Sequence, residues 1–232
     1  MRLNKGNVMK QQLVFGTIVM VAASLFAADP KDEVKAAAKK LADAGGYSWK
    51  TTTEGGNARF RPGPTEGKVA KDGLTYLSIT RGENKTEAFL KGEKGAVKTG
   101  DEWKSLSDAG EGDRGAFLVR MLKNFKNPAE QAQDLASKTK ELKKDEDVYS
   151  GDLTEEGAKE LLTRRGGEAS EAKGSVKFWI KNGLLSKSEL KLQGKMTVNG
   201  NDIEVDRTAT TEIDKVGSTK VEVPDEAKKK LS

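Results

Sequence analysis

Histidine and cysteine are both absent from the 232 residues of this chain. Without an imidazole there is no Ser-His-Asp or Cys-His catalysis, no histidine zinc site and no ordinary proton shuttle near pH 7. Without a thiol there is no disulfide framework, thiolate metal site, thiol nucleophile or lipidated cysteine. Aromatic residues are sparse at 6% and the apolar share is 35%, which predicts a thin core. A large excess of one charge is missing too. The 41 Lys and Arg stand against 36 Asp and Glu, interspersed as on a solvated surface and not gathered into a nucleic-acid footprint.

Residues 1–27 differ from the rest. They carry Arg2, Lys5 and Lys10 and no acid, then an apolar run of 14 residues from Leu13 to Phe26, then Ala27 and Ala28. A basic start, a short apolar stretch and small residues before a polar chain predict a secretory signal peptide. The run is below the roughly 18–20 residues of a stable membrane span, and the chain after it has no candidate span. The expectation is export to the periplasm or the exterior, with cleavage next to Ala27 or Ala28 and Met9 as a second possible start. Without the three basic residues of this segment, 38 Lys and Arg remain against 36 Asp and Glu. The mature chain is therefore close to neutral, and nucleic acid is not an expected partner.

Periodicity organises residues 28–232. Asp29 as cap and Pro30 as first residue predict a helix to Ala44, with Val34, Ala37, Ala38 and Leu41 as its apolar stripe. Strands are predicted at Tyr47–Thr53, Lys68–Lys71, Leu74–Thr80, Thr86–Lys91 and Gly95–Thr99, with a Gly- and Pro-rich loop over 54–67. A helix should run to Phe125, and Pro128 should open a second one through Leu135 and on toward Leu142. Lys143–Asp147 reads as a charged linker, Val148–Leu153 as a strand, and Glu155–Arg164 as a helix capped by Thr154. Strands then follow at Gly174–Lys181, Leu184–Gln193, Lys195–Asn199 and Ile203–Ile213, with a final edge strand at Thr219–Val223 and a closing helix from Pro224. Asn182-Gly183 is the strongest hairpin signal in the chain. About ten strands around a helical insert predict one α+β domain: a curved antiparallel sheet, or unclosed β-barrel, covered by helices.

The last third carries a recognisable series. Val176 to Leu185 is a Trp-containing strand, an Asn-Gly turn and a returning strand. A long polar-alternating strand ends at Thr211-Glu212-Ile213, and the chain closes with Val221-Glu222-Val223-Pro224-Asp225-Glu226-Ala227. This series resembles the LolA/LppX-type bacterial lipoprotein-carrier superfamily, most clearly over Val148–Ser232. The resemblance implies a half-open antiparallel barrel, covered by helices and enclosing an apolar cavity for acyl chains. Mycobacterial-type members carry a lipobox cysteine at the mature N-terminus, and this chain has none. The resemblance implies a fold and a ligand class, with no site residue carried over.

Three motifs have ordinary readings. Gly110-Glu111-Gly112-Asp113-Arg114-Gly115 spells G-x-G-x-x-G, but no hydrophobic strand precedes it, as a dinucleotide site needs. It reads as a flexible loop. Ser137 to Lys140 spells S-x-x-K and Lys98-Thr99-Gly100 spells K-T-G, in the reverse order of the serine enzymes that use them and without S-D-N. Asp145-Glu146-Asp147 lacks the loop of a calcium site.

Phe117, Leu118, Met121, Leu122 and Phe125 form one helix stripe. It reads either as core packing or as a lid lining a lipid cavity, where flexible methionine suits irregular acyl chains. Trp49 and Trp179 have the same double reading, as does Trp103. The expected protein is a monomeric, non-catalytic envelope protein with no cofactor and no metal. Its ligand would be lipid, lipoprotein acyl chains or another hydrophobic small molecule. The alternative is a filled-core module binding another envelope protein, and a Ser–Lys hydrolase ranks last.

Overall fold

The computed structural model describes residues 28–56, 63–163, 167–198 and 200–231. The predicted export segment, residues 57–62 of the 54–67 loop, Arg164 and the turn residue Asn199 lie outside the described residues; 54–55 and 65–67 of that loop are strand.

Helix α1 (Pro30–Asp43) opens the fold, with the Asp29 carboxylate accepting from the Lys31 amide at 2.8 Å and with Val34, Ala37, Ala38 and Leu41 buried. Strands β1 (Gly46–Gly55), β2 (Thr65–Ala70), β3 (Thr75–Arg81), β4 (Asn84–Lys91), β5 (Lys94–Thr99) and β6 (Glu102–Ser105) follow as a meander. The insert contains α2 (Gly112–Lys123) and α3 (Pro128–Ser137), then the hairpin β7 (Lys143–Asp145) and β8 (Val148–Asp152), then α4 (Glu155–Thr163). Three long strands complete the sheet: β9 (Glu168–Lys181), β10 (Leu184–Val198) and β11 (Asn201–Asp214). A short helix, α5 (Asp225–Lys228), closes the chain.

All eleven strands belong to one antiparallel sheet, in the order β6-β5-β4-β3-β2-β1-β11-β10-β9-β8-β7. Strands β6 and β7 are its two edges and do not pair with each other, so the barrel stays open. The inner face, toward α1 to α4, carries the main core, including Trp49, Leu77, Val97, Leu135, Leu162, Phe178 and Leu185. A second, smaller core lies on the outer face of the meander. There Val221, Val223, Ala227 and Leu231 cover Phe89, Ala96, Tyr76 and Trp103. The ring centroids of Phe89 lie 5.3 Å from Tyr76 and 5.2 Å from Trp103.

The α+β class and the open sheet agree with the sequence reading, and several boundaries differ. Lys143–Asp147 is no linker: Glu146 adopts φ 51° and turns β7 into β8. Helix α3 stops at Ser137 because Thr139 bridges to Leu153 and the Lys140 amide bonds the Asp152 carbonyl at 2.9 Å. The stretches 184–193 and 195–198 form one strand, with a register shift where Gly194 faces Glu171 and Ala172. Val221 and Val223 form no edge strand; their side chains are used in the outer core. The Asn182-Gly183 turn is as expected, with both residues at positive φ (54° and 73°) and Lys181 paired to Leu184.

Candidate functional site

A cleft of about 560 Å3 lies between the helical insert and the inner face of β1 and β2. Trp49, Thr51 and Thr65 form its floor. Phe117, Arg120 and Met121 of α2, the link Asn124–Lys126, Pro128 and Gln131 of α3, and Glu160 of α4 form its walls.

Helix geometry divides the predicted stripe in two. Adjacent helical residues point about 100° apart, so one stripe cannot keep all five side chains together. Leu122 joins the main core at 2% exposure, and half-buried Leu118 packs against it away from the cleft, while Met121 and Phe125 touch both core and cleft. Phe117 and Met121, each one position earlier, are half-buried and face the cleft with Arg120 and Asn124. Arg120 carries its guanidinium carbon 5.7 Å from the Phe117 ring centroid. Phe125 lies past the end of α2, in the link, where it stacks on Trp49 with centroids 6.1 Å apart and planes at 22°.

Trp49 owes its place to a glycine across the sheet. Gly67 is its register partner, and a Cβ there would stand 2.2 Å from two indole carbons. Only a residue without a side chain lets the ring lie flat on β2. Trp179 is elsewhere. Its neighbours Phe178 and Ile180 point inward, so it faces outward, under the Lys187 ammonium at 4.8 Å. The structure therefore brings together Trp49, Phe117, Met121 and Phe125, and leaves Leu118, Leu122 and Trp179 away from the cleft lining.

One hydrogen-bonded joint holds the wall to the floor. Tyr47, 1% exposed, donates its hydroxyl to Asn127 Oδ1 at 2.9 Å and accepts from the Ala129 amide at 3.4 Å. Burial pushes its phenol well above the ordinary tyrosine range. Asn127 also accepts from the Glu130 amide, while Glu130 accepts from the Asn127 amide, which completes a capping box at the start of α3. A charged joint supports the far side. Asp134 receives Lys126 at 2.9 Å and Lys138 at 2.7 Å, and Lys138 also reaches Glu160 at 3.2 Å. Burial pulls the Lys138 ammonium down, but these two carboxylates outweigh it and hold its pKa above the usual value.

The cleft is amphiphilic, not purely apolar. Five apolar or aromatic residues share it with two threonines, two cations, two amides and one carboxylate. Sequence reading missed Arg120, although its position three residues after Phe117 places it on the same helix face. Glu160 had no such signal, because it comes from an element well downstream. The S-x-x-K serine, Ser137, donates its hydroxyl to the Gln133 carbonyl at 2.9 Å, an ordinary helical back-bond. In the G-x-G-x-x-G segment, a Cβ on Gly115 would meet the Ala109 carbonyl oxygen at 2.3 Å, so that glycine serves the close seating of α2 on the preceding turn. No helix among the described residues is long and apolar enough to cross a membrane.

Comparison with known proteins gives resemblances of structure only. No protein-family model matches the chain, and no curated protein matches it. Among solved structures it is similar to LprF from Mycobacterium bovis, at 11% identity and a TM-score of 0.46, over 85% of this chain and 97% of that one. It is also similar to a LolA superfamily protein from Nitrosomonas europaea, at 12% identity and a TM-score of 0.35, over 89% of this chain and 98% of that one.

Proposed function

We propose that this protein is an exported, non-catalytic carrier or sensor of an acyl-chain ligand, which it holds in the cleft between β1, β2 and the helical insert. Residues 1–27 are its export segment, and residues 28–232 are the single binding unit. The observation that carries this reading is the pair Phe117 and Met121. They belong to an amphipathic helix that buries Leu122 in the core, yet they stand half-buried over open space floored by Trp49. The volume of about 560 Å3 falls in the range of roughly 300–1,000 Å3 common for small-molecule sites. Apolar contact supplies the affinity, at about 0.8 kcal/mol for each methylene removed from water. Arg120, Lys126 and Glu160 keep the rim wet.

The test uses the mature chain, purified without detergent. Its organic extract is analysed by mass spectrometry, and uptake of a fluorescent C16 fatty acid is titrated. Co-purifying lipid or saturable uptake is expected, with uptake reduced tenfold or more in Met121→Asp at unchanged circular dichroism. Repeated absence of lipid together with no uptake would overturn the reading.

A further inference from the structure

The inner face of the sheet continues past the cleft, and its next charged group is Arg207. Residues Val205, Arg207, Ala209, Thr211 and Ile213 of β11 alternate onto that face, as do Thr51, Thr53 and Gly55 of β1. Register places Thr51 opposite Thr211, Thr53 opposite Ala209, and Gly55 opposite Arg207. Arg207 is thus four residues along β11 from Thr211, the register partner of the floor residue Thr51, about 13 Å at the usual rise of a strand. The surface between them is half-buried and rich in hydroxyls: Thr51 and Thr53 lie on it, with Thr51 and Thr211 joined at 2.8 Å. On its other side Arg207 stands beside Leu192, which is 2% exposed.

Among the described residues the Arg207 guanidinium has neither an ion pair nor a hydrogen bond. Lys138, a half-buried cation on the helical side of the fold, has by contrast two carboxylates within 3.2 Å. The rest of the chain supplies no carboxylate side chain to Arg207 either. Every aspartate and glutamate in the sequence lies within the described residues, because 1–27, 57–62, 164–166, 199 and 232 contain none. Burial alone draws the Arg207 pKa below its ordinary value, with no anion opposing it. A guanidinium withdrawn from water without a partner is costly. Its five N–H groups form a fork that matches the two oxygens of a carboxylate or a phosphate.

We infer that Arg207 is the headgroup site for an acidic amphiphile whose acyl chain occupies the cleft, and that it binds the ligand's oxyanion. This rests on the acyl-carrier reading above and adds to it the charge of the ligand. A carboxylate headgroup and a phosphate headgroup share the required chemistry. Arg120 and Lys126 do not take this role: Lys126 is paired to Asp134, and Arg120 lies over the Phe117 ring.

The experiment measures displacement of a fluorescent C16 alcohol from the mature chain by four competitors. Palmitate is compared with methyl palmitate, and dipalmitoyl phosphatidic acid with dipalmitoylglycerol, for the native protein, Arg207→Gln and Arg207→Lys. The expected result is that the native protein prefers at least one acid over its neutral counterpart by tenfold or more. The pair that shows it identifies carboxylate or phosphate. Arg207→Gln should lose that preference while binding the neutral compounds as before, and Arg207→Lys should keep part of it. With no ligand present, Arg207→Gln should melt at or above the native temperature, since it removes an unpaired charge. Equal binding of acids and neutral compounds by the native protein, or a preference that survives in Arg207→Gln, overturns the headgroup site and leaves the carrier reading standing. Failure of the fluorescent alcohol and every competitor to bind overturns both.

Discussion

Gly67→Ala tests the floor of the cleft directly. The added methyl would lie 2.2 Å from the Trp49 indole and 2.7 Å from the Tyr76 carbonyl oxygen, against 3.4 Å or more for ordinary contact. The indole would have to retreat by roughly 1.2 Å. The indole is 4% exposed and stacked on Phe125, so its retreat would break that stacking, and the Tyr76 carbonyl belongs to the sheet. Overpacking of this kind costs about 1–3 kcal/mol, and a domain of this size loses roughly 2–4 °C of melting temperature per kcal/mol. The expected drop is therefore about 2–12 °C by circular dichroism. The control is Gly110→Ala, where the new methyl would meet only Val119 Cγ2 at 3.9 Å; it should be neutral or gain up to about 1 kcal/mol through the unfolded chain. In a Trp103→Phe, Trp179→Phe background the emission of Trp49 should also shift with Gly67→Ala. If Gly67→Ala melts with the native protein or above it, the packing account of the floor is refuted.

Two further outcomes depend on joints between elements. Glu33 of α1 accepts from Lys144 at 2.6 Å and from the Tyr149 hydroxyl, and these bonds hold its carboxyl below the ordinary value of 4.5. A carboxyl lowered on folding contributes stability that is full above its unfolded pKa and lost as pH falls through the folded one. Thermal melts from pH 7 to pH 2 should therefore show a loss below about pH 4.5 that is smaller in Glu33→Gln; an unchanged acid profile would remove Glu33 from that account. Tyr47→Phe deletes a buried hydroxyl and leaves the Ala129 amide without that acceptor, a cost of about 1–3 kcal/mol. Hydrogen exchange should accelerate over residues 124–131, and protection equal to the native protein would mean that the joint does not hold the wall.

What the sequence determined by itself was the class of fold and the placing of its turns. Alternation between β-branched and polar residues, with Asp72-Gly73 and Asn182-Gly183 between runs, specifies hairpins, because turn chemistry and side-chain period are local properties. The capping of α1 by Asp29 was equally local. The interior of the stripe was not. Phe117, Leu118, Met121, Leu122 and Phe125 look equivalent by spacing, and only the tertiary placement of α2 buries Leu122 and leaves Phe117 and Met121 lining the cleft. Trp49 and Trp179 are both strand tryptophans, yet strand parity relative to the helices puts one in the cleft and the other beneath a lysine. Parity itself is altered within β10, where the extra residue Ser186 lets Leu185 and Leu190 share the inner face. That no carboxylate side chain pairs with Arg207 is also a tertiary fact. A basic residue among 36 acids looks well supplied with partners, and only the arrangement of strands in space puts every one of them out of its reach.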